Sequence, residues 1–344
     1  MRLIIHAPNV HQGGGKTLLL PLLDAALKQC TTVALVDQRL EVPEDLSRAV
    51  TIIRVKPTLM GRLLGEWVLR KLVRDADRVL CFGNLPPLFG IKGHATVFLQ
   101  NRYLTDRSPL DGFPSMVKWR LRAERLWLRH CRTHADSFIV QTSSMQQLAT
   151  SVLGSAVEVT ALFPELSGYQ RRKPHGDPAR ATTYDFLYVA SGEPHKNHAN
   201  LLDAWKILAA DGLYPSLCLT ISESAYPDLV RLIEKDKRDY KLNISNMTAA
   251  TPSEMRILYS QAHALLYPSV MESFGLPLIE ARQAGLSIIA AELDYVRDLV
   301  DPEEVFDPKS PRSIARAVKR FLRIAEEPLP VLSTEKFVQR LLAV

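Results

Sequence analysis

Residues 264–298 read ALLYPSVMESFGLPLIEARQAGLSIIAAELDYVRD. Ala264–Tyr267 is a short apolar run with the character of a buried strand, and Pro268 stops it. A loop follows that holds Glu272 and the pair Phe274-Gly275. Pro277 then suits the first turn of a helix, where its missing N–H costs nothing. The helix predicted over Pro277–Ala284 ends at Gly285, a good left-handed cap, and Ser287–Ala290 returns as a second buried strand. Strand, loop, helix, strand is a βαβ unit, and its loop falls at the carboxyl ends of the strands, where α/β proteins bind ligands. The helix N-terminus leaves the backbone N–H groups of Phe274, Gly275 and Leu276 free to meet an anion, and Gly275 lets a ligand approach the backbone. Glu272 and Glu280 frame the same turn. Carboxylates repel phosphate, so beside an anion site they are suited to accept hydrogen bonds from hydroxyls, and the combination points to a sugar–phosphate ligand. The plainer alternative is a surface Glu and a Glu that suits the helix dipole.

The segment Glu272-Ser273-Phe274-Gly275-Leu276-Pro277-Leu278-Ile279-Glu280 resembles the E-x7-E signature of the retaining glycosyltransferases with the GT-B fold, glycosyltransferase family 4. Tyr267-Pro268-Ser269 before it and Ala281 to Gly285 after it extend the resemblance. Two Glu at one spacing arise by chance, but the filled pattern PSxxExFGLPxxEA is specific.

Outward from that unit, 344 residues predict about two domains, and 47% apolar with 23% charged residues is ample for two cores. Cys30, Cys81, Cys131 and Cys218 are scattered without a CxxC spacing, which favours neither zinc nor a disulfide framework and fits a reducing cytoplasm. Met1–His6 is too short for a signal peptide and reads as a first strand. No apolar run is long enough to span a bilayer. Candidate strands Leu3–His6, Val33–Val36, Thr51–Val55, Arg78–Phe82, Thr96–Leu99 and Ser137–Val140 alternate with helices such as Thr17–Gln29. A second alternating set comprises Phe186–Ala190, Leu217–Ile221, Asn243–Met247, Ala264–Tyr267 and Ser287–Ala290. Both are doubly wound α/β patterns. The expected layout is an N-terminal Rossmann-like acceptor domain over 1–165, a polar linker over 166–183, and a nucleotide-sugar domain over 184–330. A C-terminal helix within 331–344 would cross back, as the resemblance implies.

The net charge of +6 is uneven: residues 1–165 carry 21 Lys+Arg against 14 Asp+Glu, and residues 166–344 carry 22 against 23. The excess has a focus at 116–132, where Trp119 and Trp127 sit among six Lys and Arg. Such a helix suits an anionic membrane surface, or equally an inward Leu/Trp face with solvated Arg. No nucleic-acid motif accompanies the charge, and nucleic acid is not an expected partner.

Gly13-Gly14-Gly15-Lys16-Thr17 follows the first strand. The phosphate-cradling loop G-x4-G-K-[ST] would need Gly at position 10, which is Val10, but a Gly-rich turn still offers N–H groups to an anion. Gly14 and Gly15 are candidate donor contacts, with Lys16 as charge support. Asp75-Ala76-Asp77 matches the DxD triplet by which another glycosyltransferase fold holds a metal, and equally an ordinary acidic turn before a strand. Phe186–His198 resembles the family's strand and G-R-x-x-x-x-K-N element, which puts Lys196 in the place of a donor-phosphate lysine. There are two departures. The family's Arg falls at Ser191, and a His common after the strand ending Phe98-Leu99 is replaced by Gln100-Asn101-Arg102.

The resemblance implies a retaining hexosyl- or glycosyltransferase of bacterial surface polysaccharide or lipopolysaccharide synthesis. It would take a UDP-, GDP- or dTDP-linked sugar and a glycan or lipid-linked acceptor, without metal or other cofactor. Its location would be the cytoplasm, with peripheral attachment to the inner face of the cytoplasmic membrane if 116–132 meets lipid. Glu280 would hold the ribose, Glu272 the sugar, and Lys196, Ser191 and the 274–276 amides the diphosphate. Gln100, Asn101 and Lys16 would lie toward the sugar and acceptor. The competing functions are a nucleotide-sugar epimerase of the same fold, a P-loop-like ATPase or kinase using Lys16, and a silent partner-binding subunit.

Overall fold

Strand β1 (Arg2–Ala7) leads through the Gly-rich turn into helix α1 (Gly13–Leu27), β2 (Thr31–Asp37), α2 (Glu44–Ala49), β3 (Thr51–Val55) and α3 (Leu59–Leu72). The chain goes on through β4 (Arg78–Cys81), β5 (His94–Phe98), a 3-10 turn at Arg102–Leu104, α4 (Ser115–His130), β6 (Ser137–Val140), α5 (Ser143–Leu153) and β7 (Glu158–Val159). The computed structural model describes residues 2–106, 110, 113–154, 157–162, 182–248 and 251–326. The expected linker is almost wholly outside these residues, and the expected C-terminal helix is entirely so.

All seven strands pair in parallel in the order β3-β2-β1-β4-β5-β6-β7. Period-two alternation splits each strand between two cores. Ile4, Val33 and Leu35 pack on one face with Leu69 and Leu121, while Ile5, Ala34 and Val36 pack on the other with Leu19 and Leu23.

The second half builds β8 (Tyr184–Tyr188), a 3-10 turn at Pro194–Lys196, α6 (His198–Ala210), β9 (Leu217–Leu219), α7 (Pro227–Tyr240) and β10 (Ile244–Asn246). Then come α8 (Pro252–Gln261), β11 (Ala262–Tyr267), α9 (Leu276–Gln283), β12 (Ser287–Ala291), α10 (Asp294–Arg297), β13 (Glu304–Phe306) and α11 (Pro311–Phe321). Its six-stranded parallel sheet runs β10-β9-β8-β11-β12-β13. The strand order reverses on either side of β8 and β11, the switch point at which such sheets open a crevice. The opening βαβ unit is there as read, with Gly285 in the left-handed region at φ +74° closing α9.

Within the Asp75–Asp77 triplet, Asp77 has structural partners. Asp77 accepts two hydrogen bonds from Arg2, at 3.2 and 2.6 Å, and one from the Arg74 amide, and these hold its carboxyl below the usual range. They tie β1 to the turn before β4.

Candidate active site

The two domains face each other across a cleft of about 820 Å³ lined from both sides. The first domain contributes Gly13–Gly15, Asn84 and Gln100–Tyr103. The second contributes Ser191, Glu193, His195, Lys196, Tyr259, Met271–Pro277 and Glu280.

Lys196 ends the 3-10 turn after β8. The next residue, Asn197, takes a left-handed backbone (φ +63°) that Asn tolerates better than most residues. Its side-chain amide donates to the carbonyls of Pro268 (3.0 Å) and Pro308 (2.7 Å), while the Tyr188 hydroxyl donates to the Lys196 carbonyl at 2.7 Å. So held, Lys196 Nζ reaches Glu272 at 2.7 Å, and Tyr267 donates to the same carboxylate oxygen at 3.0 Å. Both side chains of the ion pair are nearly buried, 14% and 10% exposed, so their attraction is poorly screened.

Glu280 lies one turn into α9 and accepts from Tyr259 at 2.7 Å. Burial raises its pKa, and the Tyr259 hydrogen bond opposes that rise. Between the two carboxylates Gly275 caps α9 at φ +88°, and the N–H groups of Phe274, Gly275 and Leu276 make no hydrogen bond among the described residues. Helix α1 also begins at the cleft, and its cap residue Gln12 makes no side-chain cap hydrogen bond. By contrast, Thr142 and Thr251 cap α5 and α8 with their hydroxyls. Two helix N-termini therefore bring unfilled amides to one cleft, the arrangement an anion needs.

The predicted residues are sorted by this geometry. Glu272, Lys196, Glu280, Phe274, Gly275, Leu276, Ser191, Gly14, Gly15, Gln100 and Asn101 all line the cleft. Ser191 is committed locally, its hydroxyl donating to Glu193 and its carbonyl meeting His198 Nε2 at 2.8 Å.

Lys16 corrects the expectation of a lysine on the sugar side. The cleft-lining residues of α1 are Gly13, Gly14, Gly15, Thr17 and Leu18; Lys16 is not among them, and its Nζ lies 3.2 Å from Glu41. That placement does not favour a P-loop reading of Lys16. Gly14 and Gly15 have a packing role besides their amides. A Cβ at Gly14 would meet Leu276 Cδ1 at 3.0 Å, and one at Gly15 would meet Val10 Cγ1 at 3.0 Å.

His195, Asn84 and the contacts that join the two domains escaped sequence reasoning. His195 lines the cleft with a buried Nδ1 that has no partner among the described residues, and burial with Lys196 beside it lowers its pKa. The adjacent Lys196 was the available signal. Asn84, at φ +71°, accepts from the amides of Gln100 and Asn101 and so fixes the first domain's rim. Arg102 donates its amide to Ser273 Oγ at 2.9 Å, and Asp298 accepts from Ser144 N (3.0 Å) and Oγ (2.6 Å), so both pairs cross between domains. Among the described residues no cluster of His, Cys, Asp and Glu could hold a metal ion, and no helix is long and apolar enough to cross a membrane.

Two Rossmann-like parallel-sheet domains facing a cleft at their switch points define the GT-B fold. Residues 171–330 match the family model "Glycosyl transferases group 1". The chain is 30% identical over 155 residues to the serotype-specific mannosyltransferase WbdA of Escherichia coli, covering 43% of this chain but 18% of that protein. It is 27% identical over 144 residues to the O-antigen chain mannosyltransferase RfbU of Salmonella typhimurium, 41% of this chain and 39% of RfbU. The matched region therefore spans well under half the length of these relatives. Among solved structures, Anabaena Alr3699/HepE in complex with UDP-glucose superposes with a TM-score of 0.68 at 14% identity, over 94% of this chain and 90% of that one.

Proposed function

We propose that this protein is a retaining glycosyltransferase that moves a hexose, with mannose the favoured candidate, from a nucleoside diphosphate to a glycan or lipid-linked acceptor of bacterial surface polysaccharide. The observation that carries the reading is the convergence of the Lys196–Glu272 pair, Glu280 and the unfilled amides of 274–276 on one cleft. The likeness to two mannosyltransferases and to a chain solved with UDP-glucose supports the sugar and donor class.

Glu280 accepts the ribose hydroxyls and Glu272 the hydroxyls of the transferred sugar. Lys196 and the α9 amides hold the diphosphate. As the bond from the sugar's anomeric carbon to the diphosphate breaks, negative charge grows on the leaving oxygen, where fixed donors stabilise it more than in the ground state. The acceptor hydroxyl bonds that carbon from the same face and passes its proton to the leaving oxygen, so the anomeric configuration is kept and no strong base is required. Gln100 and Asn101, neutral and on the opposite wall, suit hydroxyls of the sugar or acceptor.

Calorimetric titration with UDP, GDP, dTDP and ATP, with and without magnesium, on wild type and Lys196→Ala tests the assignment. Metal-independent binding of one of the first three, weakened by the substitution, is expected. Magnesium-dependent ATP binding indifferent to Lys196 would overturn it. Product anomers read by NMR decide retention, and an epimerase would convert the nucleotide sugar with no acceptor present.

A further inference from the structure

Of the fourteen large hydrophobic side chains left exposed among the described residues, eight lie on two helices of the first domain, so the surface has one concentrated apolar face. Leu59, Met60, Leu63, Leu64 and Trp67 form a stripe along α3, with Leu59 88% exposed. Their spacing is helical, but they line the outer side, while Gly65, Glu66 and Leu69 take the buried one. Met116, Trp119 and Leu126 are exposed on α4, whose Leu121 and Leu128 are buried. The Arg62 guanidinium on α3 lies 5.4 Å over the Trp127 ring of α4, which joins the two helices.

The exposed charges on the two helices all have one sign. Arg70 and Lys71 on α3, and Arg120, Arg122 and Arg129 on α4, are exposed. The only acids on the two helices are withdrawn from solvent: Glu66 is buried, and Glu124 is half-buried with its carboxyl pushed up by burial. Lys71 sits 5.6 Å over Trp67, and Arg122 sits 5.5 Å over Trp119, so each exposed indole has a cation at its face.

We infer that the α3–α4 face docks on an anionic phospholipid bilayer, with α3 supplying the apolar insertion and α4 most of the charge. Leucine, methionine and tryptophan ringed by Arg and Lys without exposed acid match an interface where acyl chains lie under anionic headgroups. A second copy of this chain would bring the same cations against themselves, and a nucleic acid would have no use for the apolar centre. The face also leads to the cleft. Arg125 of α4 donates to the carbonyls of Tyr103 (2.7 Å) and Asp106 (2.8 Å), and Tyr103 lines the cleft. Docking would hold that rim near the headgroups, which matters for a lipid-linked acceptor only if the proposed transferase reading holds.

Sedimentation of the full chain with phosphatidylglycerol/phosphatidylethanolamine vesicles, compared with phosphatidylcholine vesicles, tests this. Two variants are compared, Leu59→Ser/Met60→Ser/Leu64→Ser and Arg122→Glu/Arg129→Glu. Wild type is expected to bind the phosphatidylglycerol vesicles and to release as salt rises. Each variant should lose about tenfold or more in partition with an unchanged thermal melt. If the triple serine variant fails to fold, the charge variant on its exposed residues carries the test. Equal binding by folded variants, no binding by wild type, or a wild-type dimer that the serine variant converts to monomer would overturn the inference. Vesicle binding without nucleotide binding would sink only the transferase reading, and the converse only this one.

Discussion

The two walls of the cleft hold different chemistry. The second domain's wall carries desolvated ionisable groups: the Lys196–Glu272 pair, Glu280 against Tyr259, and His195, whose Nδ1 has no partner among the described residues. The first domain's wall offers mainly neutral groups, Gly14, Gly15, Gln100 and Asn101, the last two braced by Asn84, and its Arg102 is paired with Asp106 at 3.1 Å. Charge held out of water acts strongly on a diphosphate but costs stability to maintain. Neutral amides cost less and discriminate hydroxyl patterns. Under the proposed function, one wall would grip and activate and the other would select.

Substitutions can break that contrast. Lys196→Ala should lower turnover about 10²–10³-fold, the size of a lost transition-state donor, and destabilise the protein by up to about 3 kcal/mol by orphaning Glu272. Lys196→Met with Glu272→Leu should restore the urea midpoint and leave turnover absent. If the double variant turned over sugar, the pair would not be the activating group.

His198 supports the Ser191 carbonyl at the base of the same wall, and burial pushes its pKa down to about 4. The unfolded chain therefore binds a proton that the folded one refuses between about pH 6.5 and 4. Its contribution is present above pH 6.5 and lost as pH falls through that window, about 3 kcal/mol in total. His6, whose pKa burial also lowers, acts in the same direction. Urea unfolding across this range should show the loss, and His198→Gln should flatten it by about one proton.

Glu280→Gln should weaken nucleotide binding by about 1.5–3 kcal/mol, the worth of a hydrogen bond to a charged group. Its effect on the free protein has the opposite sign. A Glu whose folded pKa is raised loses stabilisation as pH rises through that pKa, and Gln does not. The variant's unfolding midpoint should therefore exceed that of wild type at pH 8, with the gap closing toward pH 5. Gly275→Ala, forced to φ +88°, should cost about 1–2 kcal/mol in stability. The smallest effect on nucleotide affinity is expected from Gln100→Ala and Asn101→Ala, which should alter the KM for acceptor instead. A large loss of nucleotide affinity there would erase the contrast between the walls.

Features written within one turn of chain were legible. The βαβ unit around Glu272 and Glu280 can be read because Pro268, Pro277 and Gly285 mark its boundaries and its strands are mostly apolar. Strands β7 and β13 were missed for the converse reason: they have two and three residues, lie at sheet edges and each begin with Glu. Lys16 was misplaced because sequence placed it near the cleft but could not give the phase of α1. Tyr259, which meets Glu280 from twenty-one residues away, and Asn84, which braces Gln100 from sixteen, are set by tertiary packing and leave no local pattern. The α3 stripe was present in the sequence as Leu59-Met60 and Leu63-Leu64. Helical spacing alone does not say which way such a stripe faces, and the structure turns it outward.

Leu276 belongs by chain to the helix whose N-terminal amides face the cleft, yet it packs on the first domain's core, against Gly14. Any motion that parts the domains must draw this leucine out of an apolar seat and hydrate both surfaces. Opening therefore carries a positive heat-capacity change, and a ligand that holds the cleft shut carries the matching negative one. The hydrophobic part of closure weakens on cooling. The width of the cleft is in this sense tied to temperature through its apolar contacts, Leu276 among them.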